Sequence, residues 1–197
     1  MNIKNVCVIG SGTMGNGIAQ VCTQAGLNVS LIDIAQPMLD KAMKTIEKSV
    51  SKLVEKGVLK ETANAIMGRI KASTAYDSVA DAELVIEAVF ERIDVKNEVQ
   101  KKIAPLVKEK TIIASNTSAI PISQLAAATA RPENFIGLHF FNPVPMMQAV
   151  EVIKGIATSE EAFQFGGEFV RFIGKEPLMV HKDIAGFVLN RINMLTN

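Results

Sequence analysis

Three glycines in six residues, Gly10-Ser11-Gly12-Thr13-Met14-Gly15, follow the apolar run Val6 to Ile9 and lead into a helical pattern from Thr13 to Ala25 that Gly26 terminates. Glycines at this spacing between a strand and a helix permit a tight turn. They also let backbone approach a pyrophosphate and let the helix pack closely on the strand. The chain is thereby committed to open with a βαβ unit whose first turn is a dinucleotide site. An ordinary tight loop would need no such flanking strand and helix.

The rest of the sequence extends that unit. Strand-length apolar runs at Asn28–Ile32, Ile70–Ala72, Leu84–Val89 and Thr111–Ala114 alternate with helical patterns, as in a parallel sheet covered on both faces. A long helix is expected over Gln36–Lys56, where Met38, Leu39, Ala42, Met43, Ile46, Val50, Leu53 and Val54 recur at helical spacing. With a second helix near Thr62–Met67 it forms a helical hairpin inserted before the third strand. Further helices are expected over Asp94–Val107 and from Pro121. The pattern then changes: Phe135–Phe140 and Ala149–Ile153 flank a short loop holding Pro143 and Pro145, which suits an antiparallel hairpin. A helix over Glu160–Ile173, a strand over Pro177–His181 and an amphipathic helix from Gly186 to Leu195 complete the reading. The fold class is α/β, a Rossmann-like, doubly wound, mostly parallel sheet with antiparallel strands toward its C-terminal side. Residues 1–183 form the dinucleotide-binding domain, and residues 184–197 begin something else.

Composition narrows the partners. The 197 residues carry 21 Lys and Arg against 20 Asp and Glu, a net charge of +1, so no general attraction to nucleic acid or to an anionic membrane is expected. No apolar run reaches the length of a signal-peptide core or a membrane span. Cys7 and Cys22 have no metal-ligand spacing and read as buried thiols of a reducing, cytoplasmic compartment; no metal site is expected.

Two carboxylates and one imidazole carry the chemistry. Asp33 lies at the end of the second strand, eighteen residues beyond Gly15, where it can accept both hydroxyls of an adenosine ribose and repel a 2′-phosphate. That favours NAD over NADP, and Asp33 can also cap the helix that follows. His139 and Glu151 sit six residues either side of Pro145, so a hairpin centred there places them opposite one another. A carboxylate against one imidazole nitrogen fixes the tautomer, raises the pKa and leaves the other nitrogen as a general base for alcohol oxidation. A satisfied structural histidine is the plainer reading of His139 taken alone. His181, beside Lys182 and Asp183, reads as solvated.

These residues resemble the L-3-hydroxyacyl-CoA dehydrogenases. The resemblance rests on Val8-Ile9-Gly10-Ser11-Gly12-Thr13-Met14-Gly15, Ala114-Ser115-Asn116-Thr117-Ser118, Gly137-Leu138-His139-Phe140-Phe141-Asn142-Pro143-Val144-Pro145 and Val150-Glu151-Val152. It implies NAD-linked oxidation of an acyl-CoA substrate, L-3-hydroxyacyl-CoA, to the 3-ketoacyl-CoA, with His139 and Glu151 as the catalytic dyad. It further implies Ser118 near the reacting oxygen, Asn142 near nicotinamide and substrate, and Glu91 and Lys96 as cofactor contacts. Ser118 alone would read as a helix cap, Asn142 as a turn residue, and Glu91 and Lys96 as surface charges.

Lys41, Lys44, Lys48, Lys52 and Lys56 share one face of the long helix, where an anion can bind. The resemblance assigns Ser49 and Lys56 to the nucleotide end of coenzyme A, and the other lysines read as a solvated face. The resemblance implies a helical C-terminal domain, through which the family's members form homodimers, and these 197 residues are expected to hold only its beginning. Asn190, matched to a substrate position, belongs to its first helix, and Ala185 stands where the family commonly has proline. Low activity of the isolated chain is therefore expected. Two other readings stay open: a dehydrogenase of hydroxy acids or L-gulonate-type substrates without coenzyme A, and a non-catalytic dinucleotide-binding module.

Overall fold

Alternate residues of the first strand serve different layers: Val6 and Val8 belong to one apolar cluster, Cys7 and Ile9 to another, and all four are buried. A strand apolar on both sides must be covered on both sides, and the computed structural model, which describes residues 3–187, shows how. Strands β1 (Asn5–Ile9), β2 (Asn28–Ile32), β3 (Ile70–Ser73), β4 (Leu84–Glu87), β5 (Ile112–Ser115), β6 (Phe135–Phe140), β7 (Ala149–Lys154) and β8 (Glu176–Val180) form one sheet in the order β3-β2-β1-β4-β5-β6-β7-β8. The pairings from β3 to β6 are all parallel, β6 and β7 are antiparallel, and β8 runs parallel to β7. The doubly wound sheet expected from the sequence is present, with its last two strands reversed.

Helices α1 (Thr13–Gln24), α2 (Gln36–Glu55), α3 (Ala63–Met67) and α6 (Glu160–Phe172) contribute to the first layer through Ile18, Leu39, Ile46, Ile66 and Phe163. The expected helical hairpin is α2 packed on α3. Helices α4 (Ile93–Ile103) and α5 (Ile122–Ala126) fill the second layer with Val99, Ile103, Ile122 and Leu125. Burial raises the Cys7 and Cys22 thiols to about 12. Among the described residues no helix is long and apolar enough to cross a membrane.

Several boundaries differ from the sequence reading for local reasons. β4 stops at Glu87 because that carboxylate accepts the Val89 N–H at 2.8 Å and turns the chain out of the ladder. α4 ends at Ile103, ahead of Pro105, whose ring excludes a helical bond. Pro121 offers α5 no capping side chain, and Asp183 supplies the cap, accepting Ile122 N–H at 2.8 Å and Ser123 N–H at 2.6 Å. His181 is exposed as expected, its ring edge-on to Phe163 at 4.9 Å. Of the helix expected over Gly186–Leu195 only the first two residues are described; 185–187 form a turn that buries Phe187 in the second layer.

Candidate functional site

The carboxyl ends of β1, β2, β4, β5 and β6 lie at one edge of the sheet, and the strand order reverses between β1 and β4, where an open α/β sheet forms its binding crevice. The glycine loop occupies that point. Gly10 has φ +98°, and a Cβ there would meet the Ala88 carbonyl oxygen at 2.6 Å; a Cβ on Gly15 would lie 1.7 Å from the Gly10 oxygen. Both close approaches forbid a side chain. Gly12, in contrast, faces open space, and as the N-cap of α1 it offers the first turn no capping side chain. The uncapped N–H groups and the positive end of the helix dipole are suited to a pyrophosphate. This loop fits a dinucleotide.

Asp33 tethers the loop. Its Oδ2 accepts both the Ser11 N–H at 2.8 Å and the Ser11 hydroxyl at 2.7 Å, while Oδ1 accepts the Ala35 N–H at 3.3 Å. The N-cap of α2 is Ala35, not Asp33, so the capping alternative gives way to a link between the ends of β1 and β2. A carboxylate has about four lone-pair sites, so capacity remains for a ribose hydroxyl.

Lys96, which the resemblance makes a cofactor contact and which alone would read as a surface charge, is fully buried, so any link from it to a cofactor runs through its partner Glu91. Its ammonium donates to both oxygens of Glu87, at 2.8 and 3.1 Å, and pairs with Glu91 Oε2 at 3.3 Å. The Ser115 hydroxyl also donates to Glu87, at 2.7 Å. Glu91 Oε1 accepts the Thr117 hydroxyl at 2.5 Å and the N–H groups of Ser118 and Ala119 at 2.7 and 3.0 Å. Partial burial penalises the Glu91 charge, but the Thr117 hydroxyl, the Lys96 ammonium and the two amides together outweigh it and hold the carboxyl below its ordinary value. Glu87 and Thr117 escaped the sequence reading. The available signal was a charge closing an otherwise apolar strand, since a buried carboxylate needs a cation.

His139 and Glu151 are register partners across β6 and β7, as the loop count predicts. Nδ1 lies 2.7 Å from Glu151 Oε2; a carboxylate only accepts, so Nδ1–H is the donor and Nε2 is left as the basic nitrogen. The histidine is 4% exposed, with the rings of Phe141 and Phe187 at 4.6 and 5.6 Å. Asn116 accepts the Phe140 N–H at 2.9 Å and so ties the end of β5 to the strand carrying His139.

Ser118 and Asn142 are exposed at the ends of β5 and β6. Ser49 is half-buried on α2 and accepts a bond from Gln20 of α1 at 3.0 Å. One turn earlier on the same face of α1, Gly17 meets Val144 of the β6–β7 loop. A single helix thus contacts both the α2 position and the loop holding Asn142. Lys41, Lys44, Lys48, Lys52 and Lys56 are all exposed, with the first three lining an open groove beside Pro37, Asp40 and Thr45. Asn190 lies outside the described residues.

Residues 5–184 match the family described as 3-hydroxyacyl-CoA dehydrogenase, NAD binding domain. The chain is 45% identical over 191 residues to a 3-hydroxybutyryl-CoA dehydrogenase of Bradyrhizobium diazoefficiens, covering 96% of this chain and 65% of that one. The crystal structure of (S)-3-hydroxybutyryl-CoA dehydrogenase from Ralstonia eutropha superposes with a TM-score of 0.92 at 44% identity, over 98% of this chain and 68% of that one. A 5-formyl-3-hydroxy-2-methylpyridine 4-carboxylic acid 5-dehydrogenase, an NAD+ dependent dismutase, gives 0.90 at 34% identity, over 98% and 62%. The chain spans about two thirds of the length of these relatives. Because the family match takes in nearly all of the sequence and the likeness holds along the same stretch, the chain belongs to the NAD-binding domain family of the 3-hydroxyacyl-CoA dehydrogenases.

Proposed function

We propose that this chain is the cofactor domain, residues 1–183 with the entry to a second domain at 184–197, of an enzyme interconverting L-3-hydroxyacyl-CoA and 3-ketoacyl-CoA. The observation that carries the reading is the buried His139–Glu151 pair at the end of the sheet that also holds the glycine loop. Bound NAD supplies the hydride acceptor. The loop from Gly10 to Gly15, including Ser11, Thr13 and Met14, receives the pyrophosphate, and Asp33 receives the ribose. Glu91 borders the cofactor, with Lys96 behind it setting its position.

His139 Nε2 removes the hydroxyl proton of the substrate, which avoids a protonated ketone, and Glu151 compensates the imidazolium charge through Nδ1–H. Ser118 and Asn142 orient the reacting oxygen and the nicotinamide. Ser49 and Lys56 hold the nucleotide end of coenzyme A, and Asn190 contributes from the second domain. Unpaired buried thiols fit a reducing, cytoplasmic setting.

Acetoacetyl-CoA and NADH, followed by loss of NADH absorbance, test the proposal, with free acetoacetate as the comparison. Turnover of the thioester alone is expected, slow for the 197 residues by themselves and faster when the remaining third of a relative is supplied as a separate helical domain. Equal turnover of the free acid would favour a substrate without coenzyme A, the reading to which the dismutase likeness points. NADH binding without turnover in any combination would leave a dinucleotide-binding module.

A further inference from the structure

The loop between β6 and β7 has a second anchor that the chemistry above does not use. Lys175, in the turn between α6 and β8, is 6% exposed, yet among the described residues it makes no salt bridge. Its ammonium donates to two carbonyls of that loop, Val144 at 2.8 Å and Met147 at 2.6 Å. The next residue, Glu176, donates its N–H to the Gln148 carbonyl at 2.9 Å. On the opposite side Val144 presses on α1 where only glycine fits: a Cβ on Gly17 would lie 2.8 Å from the Val144 Cβ. The loop is therefore gripped between the helix under the dinucleotide site and the entry to β8. Asn142 is two residues before the gripped carbonyl.

A buried cation satisfied only by carbonyl dipoles is a costly way to fill space, and an apolar side chain would pack there without the desolvation. What the ammonium adds is direction, since it fixes two carbonyls three residues apart at one point. We propose that Lys175 is a positioning residue for the nicotinamide half of the dinucleotide site, acting through the 142–147 loop and not on the ligand itself. The inference rests on the placement of nicotinamide at Asn142 made above. It separates the two halves of the cofactor, because the glycine loop and Asp33 make no contact with Lys175 among the bonds described.

Calorimetric titration of the purified chain with NADH and with ADP-ribose reads that separation. Lys175→Met keeps the length of the stem and removes the donors; it is expected to weaken NADH about tenfold while leaving ADP-ribose within about twofold. A general loss of structure would weaken both ligands together. Should Lys175→Met not fold, Gly17→Ala pushes the same loop from the α1 side and is expected to give the same split. Asn142→Ala serves as the reference for the nicotinamide contact. If Asn142→Ala weakens NADH and folded Lys175→Met does not, the role of Lys175 is overturned and the placement of nicotinamide stands. If both variants bind NADH as the parent does, that placement fails and takes the inference with it. Equal loss of NADH and ADP-ribose in folded Lys175→Met, or in Gly17→Ala where it replaces it, also overturns the inference.

Discussion

At the scale of single residues the proposed mechanism assigns proton transfer and cofactor binding to different side chains. His139 Nδ1 is taken up by Glu151, which leaves Nε2 for the proposed proton transfer, and the glycine loop is built from other residues. His139→Gln is therefore expected to lower turnover by a factor of roughly 10² to 10⁴ while NADH affinity stays within about twofold; stopped-flow hydride transfer beside a binding titration reads both. Loss of activity that merely follows loss of folded protein would return His139 to a structural role. Glu91 offers a pH test. Its carboxyl is held below its ordinary value of 4.5, so its charge stabilises the fold fully above that value. The contribution disappears as pH falls through the lowered folded-state value. Glu91→Gln should then be less stable than the parent at pH 7, with the gap in denaturation midpoint closing below pH 4.5. A gap unchanged by acid would show that the carboxylate contributes nothing as a charge. The dyad was readable because residues at equal offsets about a tight loop must face one another. The Glu87–Lys96 pair was hidden, since its members are nine residues apart on a strand and a helix and only packing shows that neither meets water.

At the scale of elements, that same ion pair joins β4 to α4. Both side chains are fully buried, and deleting one charge strands the other. Lys96→Met is expected to lose about 3 kcal/mol of stability in urea unfolding at neutral pH, more than the few tenths of a truncated surface lysine. A loss below about 0.5 kcal/mol would place Lys96 in contact with water after all. Asp33 performs the corresponding join between the ends of β1 and β2 through Ser11. NADH is expected to bind at least tenfold more tightly than NADPH, and Asp33→Ala to weaken NADH and narrow that difference; equal affinities in the parent would remove Asp33 from its ribose role. Strand and helix periods made most elements readable. Their ends were not, because Glu87 bends its own strand and the cap of α5 comes from Asp183, sixty residues further on.

At the scale of the molecule, the sheet has a seam. The strands up to β6 share one direction, and β7 and β8 run against them. The change of pattern after Pro121 foretold the reversal, but not that β8 would lie parallel to β7, since a helix between two strands fits either direction until handedness and packing choose. His139 belongs to the last strand before the seam and Glu151 to the first one after it. The glycine loop, Asp33 and the Glu87–Lys96 pair therefore sit on elements before the reversal, whereas His139 and Glu151 face one another across it. In the proposed mechanism the proton-transferring pair is thus the part of the site that spans the reversal, and any change that shifts β7 against β6 falls first on that pair and not on the glycine loop or Asp33.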